Sequence, residues 1–132
     1  VDGYYMFAGD VVTVDNCVFT GKYNSYFWTG SADVITFNKC VFNGVERIVK
    51  VCTVGHTGVE REVNFNECTF TATEQKKAAI EIDSELIKGE FNVVINDTTA
   101  NGFANGNVSG NSLWNNKKGT KTNITVDGVE ML

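Results

Sequence analysis

Glu81 and Asp83 stand two residues apart in Ala79-Ile80-Glu81-Ile82-Asp83, a run that alternates as a strand does, so both carboxylates belong to one outward face. Lys50 falls on the strand one repeat earlier, with Arg47 close to it in sequence. Carboxylates beside a cationic group can hold a ligand's polar groups or pass a proton. The plainer reading is an ion pair between Lys50 and Glu81 on a solvated sheet, worth under about 1 kcal/mol. Inverting hydrolysis of a glycoside needs two carboxylates roughly 6.5–9.5 Å apart astride a sugar, and no spacing in this chain isolates such a pair. Glu85 and Glu90 read as loop residues, and His56, in Gly55-His56-Thr57-Gly58, as a surface turn with no Ser or Cys nucleophile pattern near it. No catalytic residue, metal ligand or cofactor is assigned. The aromatic residues are more telling. Tyr4, Tyr5, Tyr23, Tyr26, Phe27 and Trp28 crowd the first part of the chain, and of these Tyr23 and Phe27 are expected to face outward. Exposed rings stack on sugars or anchor a protein partner; alternatively they close the end of a stack.

These residues are carried by a repeat. Val34-Ile35-Thr36-Phe37-Asn38-Lys39-Cys40-Val41-Phe42-Asn43-Gly44 is echoed by Val11 to Gly21 and by Glu62 to Ala72, and more faintly by Asn92 to Gly102 and Asn123 to Leu132. Aligned on Asp15, Asn38, Asn66, Asn96 and Asp127, the copies are separated by 23, 28, 30 and 31 residues. A period of this size with variable connections marks a repeat architecture. In each copy apolar residues flank a mostly polar one (Val12/Val14, Ile35/Phe37, Val63/Phe65), which is a strand with one wet face. The Asp or Asn that follows tolerates left-handed backbone, so the chain is expected to turn there. Cys-x-Phe then makes a second short strand. Stacked in register, Cys17, Cys40, Cys68, Thr98 and Val129 form one column, and Phe19, Phe42, Phe70, Ala100 and Met131 another. The Asn/Asp column could share amide hydrogen bonds from rung to rung.

A third strand precedes each copy: Tyr4 to Ala8, Tyr26-Phe27-Trp28, Ile48 to Cys52, Ala79 to Asp83 and Ser112-Leu113-Trp114. Its expected inward pairs are Tyr5/Phe7, Tyr26/Trp28, Val49/Val51 and Ile80/Ile82, and its outward column Met6, Phe27, Lys50, Glu81. Ser84 to Lys88 could form one helical turn ended by Gly89, and Asn115 to Thr122 reads as a polar turn. The reading is all-β: a short right-handed parallel β-helix of about five coils, the hand that parallel crossovers favour. The absence of proline fits, because interior rungs need every backbone N–H.

At 132 residues the chain makes a single domain over 1–132, expected to be cut from a longer surface protein. A net charge of −5, with no basic cluster longer than Lys76-Lys77 or Lys117-Lys118, argues against nucleic-acid binding. No apolar run approaches the roughly 18 residues of a membrane helix, so membrane insertion is not expected. The four cysteines, Cys17, Cys40, Cys52 and Cys68, lack zinc-site spacing. Three share one repeat position, and free buried thiols are expected there.

Val-x-Phe-Asn-x-Cys-x-Phe-x-Gly units resemble those of the pectin-lyase-like right-handed β-helix family. They are especially similar to repeats in surface proteins of Gram-positive gut bacteria. The resemblance spans nearly the whole chain and implies an extracellular or cell-surface location. Lyases of that family hold acidic sugars with calcium-binding carboxylates and use Arg or Lys as base. The family also includes glycoside hydrolases, phage tailspikes and adhesins, so fold alone does not select an activity. The expectation is a non-catalytic binding or adhesion module that recognises a glycan or a host protein through Phe27, Lys50, Glu81, Asp83, Tyr23 and Tyr26. The alternative is a polysaccharide lyase, glycoside hydrolase or tailspike-type fragment. Weak end-to-end self-association through Tyr4 to Ala8 is also expected, since exposed strand edges invite pairing.

Overall fold

The computed structural model describes residues 4–6, 11–20, 26–28, 33–44, 49–51, 61–72, 78–82, 91–103, 109–110, 112–116 and 122–131. Within them the protein is all-β, with no helix. The strands are β1 (Tyr4–Met6), β2 (Val11–Asp15), β3 (Val18–Thr20), β4 (Tyr26–Trp28), β5 (Val34–Asn38), β6 (Val41–Gly44), β7 (Val49–Val51) and β8 (Arg61–Asn66). They continue with β9 (Thr69–Ala72), β10 (Ile80–Ile82), β11 (Phe91–Asn96), β12 (Thr99–Asn101), β13 (Ser109–Gly110), β14 (Trp114–Asn116), β15 (Thr122–Val126) and β16 (Val129–Glu130).

Strands three apart in the chain, or four apart once β13 intervenes, are neighbours in space, and β13/β14 and β15/β16 pair as neighbours in the chain. Sheet A runs β1-β4-β7-β10-β14-β13, sheet B runs β16-β15-β11-β8-β5-β2, and sheet C runs β12-β9-β6-β3. Every pairing is parallel except β13 with β14 and β15 with β16. The chain visits A, B and C in turn, so a short repeat that cannot cover its own apolar face does so against the repeats on either side.

The repeated residues build sheets B and C and the bend between them. Ile35, Phe37, Val63, Phe65, Val93, Ile95 and Ile124 are buried on the inner face of B, and Phe42 and Phe70 on that of C. The Phe column is in register from Phe19 through Phe42 and Phe70 to Ala100. Its rings stack at 5.2 Å for Phe19–Phe42 and 4.7 Å for Phe42–Phe70, while Phe37 and Phe65 stack at 5.3 Å. The two stacks meet edge to face, as Phe37 on Phe42 and Phe65 on Phe70, which places ring edges against ring faces.

The bend differs from the expected one by a residue. Asp15, Asn38, Asn66 and Asn96 remain in strand. The left-handed residue is the next one: Asn16, Lys39, Glu67 or Asp97, with φ between 47° and 54°. The Asn column stays extended because its amides are used between repeats. Asn38 Nδ2 donates to Asp15 Oδ1 at 2.8 Å, Asn66 to Asn38 at 3.0 Å and Asn96 to Asn66 at 3.1 Å. Lys and Glu hold a conformation that costs them about 1–2 kcal/mol. Their backbone N–H groups reach the next repeat, Lys39 to Asn66 O at 2.8 Å and Glu67 to Asn96 O at 2.9 Å.

Two further expectations fail at the end of the chain. Val129 and Met131 do not extend the Cys and Phe columns and are 58% and 44% exposed. β16 instead folds back antiparallel on β15, with Val126 opposite Val129. The cause is Asp127-Gly128, whose φ values of 49° and 79° are both positive, as a two-residue primed turn requires. Asn115 and Asn116 are likewise not turn residues. They lie buried in β14, whose Trp114 is in register with Ile80. At the close of the fourth repeat, Gly102 (φ 84°) lies so close to the Ala72 carbonyl that a Cβ there would overlap it. The helical turn expected over Ser84 to Lys88 lies outside the described residues.

Candidate functional site

Sheet A and its connections carry the expected ligand residues. Its parallel strands are three residues long and are not repeated in sequence, so pairing sets which residues align. Ile80, Glu81 and Ile82 pair with Val49, Lys50 and Val51 on one side and with Trp114, Asn115 and Asn116 on the other. Lys50 and Glu81 therefore occupy neighbouring rungs of one column, as the sequence reading placed them.

Phe27 is not in that column. It is in register with Val49, and Trp28 with Lys50. Tyr5 pairs with Phe27 and Met6 with Trp28, so the column reads Met6, Trp28, Lys50, Glu81, Asn115, and Tyr26 pairs with Tyr4. The one-residue difference has a simple origin. Tyr26-Phe27-Trp28 is aromatic at every position, so no alternation marks one face, and register is weakly specified without it. Trp28 and Asn115 are the column members that sequence reasoning missed. The only sequence signal for Trp28 was the aromatic triplet itself.

Glu81 also differs from expectation. It is 5% exposed, and its neighbour Asn115 is 8% exposed, so this rung pair is enclosed rather than solvated. Ile80 and Ile82, on the opposite face, are buried too. A carboxylate removed from water is held by partners or it neutralises, and Glu81 does make interactions within the protein. Tyr23, Asp83, Arg47 and His56 lie outside the described residues. No group of three or more His, Cys, Asp or Glu that could hold a metal ion occurs among the described residues.

Elsewhere the polar groups are spent on the fold. The thiols of Cys17, Cys40 and Cys68 are unbridged, as expected; Cys52 lies outside the described residues. Cys40 Sγ donates to Val14 O at 3.4 Å and Cys68 Sγ to Phe37 O at 3.3 Å, each reaching the repeat before its own. Thr98 takes the same place with a hydroxyl, donating to Phe65 O at 3.4 Å and to Asn96 O at 2.9 Å. Burial raises the Cys40 pKa and pushes that of Cys68 up to about 11. Both thiols thus stay protonated at neutral pH and are poor nucleophiles. On the outer face of sheet B, Asn64 Nδ2 donates to Thr36 Oγ1 at 3.3 Å and Asn123 Nδ2 to Asn92 Oδ1 at 2.9 Å.

The connections divide the molecule in another way. From B to C the chain uses two residues in each of the first four repeats: Asn16-Cys17, Lys39-Cys40, Glu67-Cys68 and Asp97-Thr98. From A to B the connecting segments differ in length: 7–10, 29–33, 52–60, 83–90 and 117–121. Because the strands on each side stack in parallel, all of these segments start from one margin of sheet A. That margin is the end of the strands carrying Trp28, Lys50 and Glu81.

Comparison with known proteins finds no matching family model, no similar curated protein and no similar solved structure. The functional reading therefore rests on the geometry and on the resemblance of the repeat units.

Proposed function

We propose that the chain is a short right-handed parallel β-helix of about five coils, built in the pectin-lyase-like manner. In this reading it serves as a non-catalytic binding or adhesion module of a bacterial cell-surface or secreted protein. Its ligand is a glycan or a host protein, held where the A-to-B connections leave sheet A. What supports this is the contrast between a B–C bend that keeps its form through the first four repeats, with its hydrogen bonds used internally, and connections of unequal length that all start from one margin of sheet A. Ligand-binding residues commonly sit on loops held by a rigid scaffold. Trp28 and Lys50 replace the pair Phe27 and Lys50 as the residues on which binding depends, because they share a column. Asp83 directly follows β10 and so begins one of these connections.

A glycan-array screen, run beside reducing-sugar and unsaturated-uronate assays, tests the reading. Binding without product formation is the expected result, and Trp28→Ala or Lys50→Ala should weaken it by about 1 kcal/mol or more with the melting temperature nearly unchanged. Release of unsaturated uronate or reducing ends would establish a lyase or hydrolase instead.

A further inference from the structure

Asparagine followed by glycine is a reactive pair. The glycine nitrogen, unshielded by a side chain of its own residue, can attack the asparagine Cγ and expel the side-chain amide. The chain holds three such pairs, Asn43-Gly44, Asn101-Gly102 and Asn105-Gly106, and the last lies outside the described residues. The other two make a matched comparison. Asn43 and Asn101 occupy one column, on either side of Thr71.

The fold treats them differently. Attack requires the backbone after the asparagine to rotate until the glycine nitrogen reaches Cγ, and an extended ψ of about +115° holds that nitrogen away. Asn43-Gly44 lies within β6, where Asn43 pairs with Thr20 on one side and Thr71 on the other, and Gly44 pairs with Ala72. Rotation there would break the ladder inside sheet C. Asn101 is the last residue of β12, and Gly102 has already left the strand with φ 84°. Both are exposed, whereas Asn43 is only partly so. The end of a strand opens at lower cost than its middle.

Packing keeps the glycine where it is. Any other residue at 102 would carry its Cβ into the Ala72 carbonyl, so the contact that closes the fourth repeat also retains a glycine behind Asn101. Asp127-Gly128 has a comparable left-handed backbone, with φ 49° and 79°. Its carboxylate, however, accepts the Asp97 N–H at 2.8 Å, and an ionised carboxylate is a poor electrophile.

We infer that Asn101 is a site of spontaneous deamidation, selected over Asn43 by its place at the end of β12. The Gly102 nitrogen bonds to Asn101 Cγ and gives up its proton, the Cγ–Nδ2 bond breaks, and ammonia leaves. Water then opens the resulting cyclic imide at either carbonyl. The products are an aspartate, or an isoaspartate whose main chain runs through the former side-chain carbon. Either puts a new carboxylate on the outer face of sheet C, beside Thr71.

The test is to hold the native chain at mildly alkaline pH, below its melting temperature, and to follow positions 43, 101 and 105 by peptide mapping with fragment spectra and isoaspartate detection. Asn101 should convert at least tenfold faster than Asn43, a ratio that a difference of about 1.4 kcal/mol in opening cost supplies. In the denatured chain the two should convert at similar rates, since the fold no longer separates them. Equal conversion of Asn43 and Asn101 in the folded chain overturns the inference. So does an Asn101 that stays intact in the folded chain over the time in which the denatured chain converts.

Discussion

The B–C bend and sheet A are two halves of the same repeats, built by different rules. In the bend each position has one task and repeats it: Asn donates to the previous Asn, the thiol or hydroxyl donates to the previous carbonyl, and Phe stacks on Phe. In sheet A the column through Lys50 does not repeat: it holds Met6, Trp28, Lys50, Glu81 and Asn115 in succession. The difference separates two demands on one chain. Stacking rewards identical neighbours at each rung, whereas recognising something else rewards differences along a face.

The largest effect that tests this contrast is at Phe42. Its ring is enclosed between Phe19 and Phe70 and touched edge-on by Phe37. Phe42→Ala should cost about 3–5 kcal/mol, measured by denaturant titration, and more than Lys50→Ala in sheet A. Equal losses at the two sites would erase the distinction.

A second, smaller effect concerns the thiols. The folded pKa of Cys68, about 11, lies above the ordinary value of 9.0. The protonated thiol is thus favoured in the folded state. Its contribution is complete below pH 9 and declines as pH rises towards 11. Stability followed across that window should fall in the native chain and fall less in Cys68→Thr, which keeps a hydroxyl donor as Thr98 does. At neutral pH, Cys40 and Cys68 should resist thiol reagents until the protein is denatured. Prompt labelling of either in the folded protein would show that the bend opens.

The smallest effect is a gain. Lys39 holds φ at 53° with its side chain exposed. Lys39→Gly should relieve the left-handed backbone and stabilise by about 0.5–1 kcal/mol, net of glycine's greater freedom when unfolded. A loss of stability would mean that the Lys39 side chain takes part in the bend.

The same contrast explains what could be read from residues alone. The Phe and Cys columns and the Asn ladder were legible because three or four copies agreed on each position. The site of the left-handed bend was missed by one residue. Asn is the residue type expected there, and Lys39 and Glu67 are not. The final hairpin was hidden by the repeat itself. Alignment of Asp127 with Asn96 drew attention from the Asp-Gly turn signal between Val126 and Val129. In sheet A an aromatic triplet and three-residue strands leave no alternation to read. The enclosure of Glu81 and Asn115 is a matter of tertiary packing that charge and polarity alone oppose.

Asp127 does more than turn the chain. In each earlier repeat the left-handed residue donates its N–H to a backbone carbonyl of the following repeat. After Asp97 no such carbonyl is in place, and the Asp127 carboxylate accepts the bond instead, at 2.8 Å. Among the described residues, sheets A and B are thus closed off by antiparallel strands beside this turn, whereas β1, β2 and β3 are edge strands of their sheets. In a linear array whose stability is a sum of nearest-neighbour terms, fraying begins where a unit has a neighbour on one side only. Melting of the isolated chain therefore has a direction, running from the first repeat towards the hairpin.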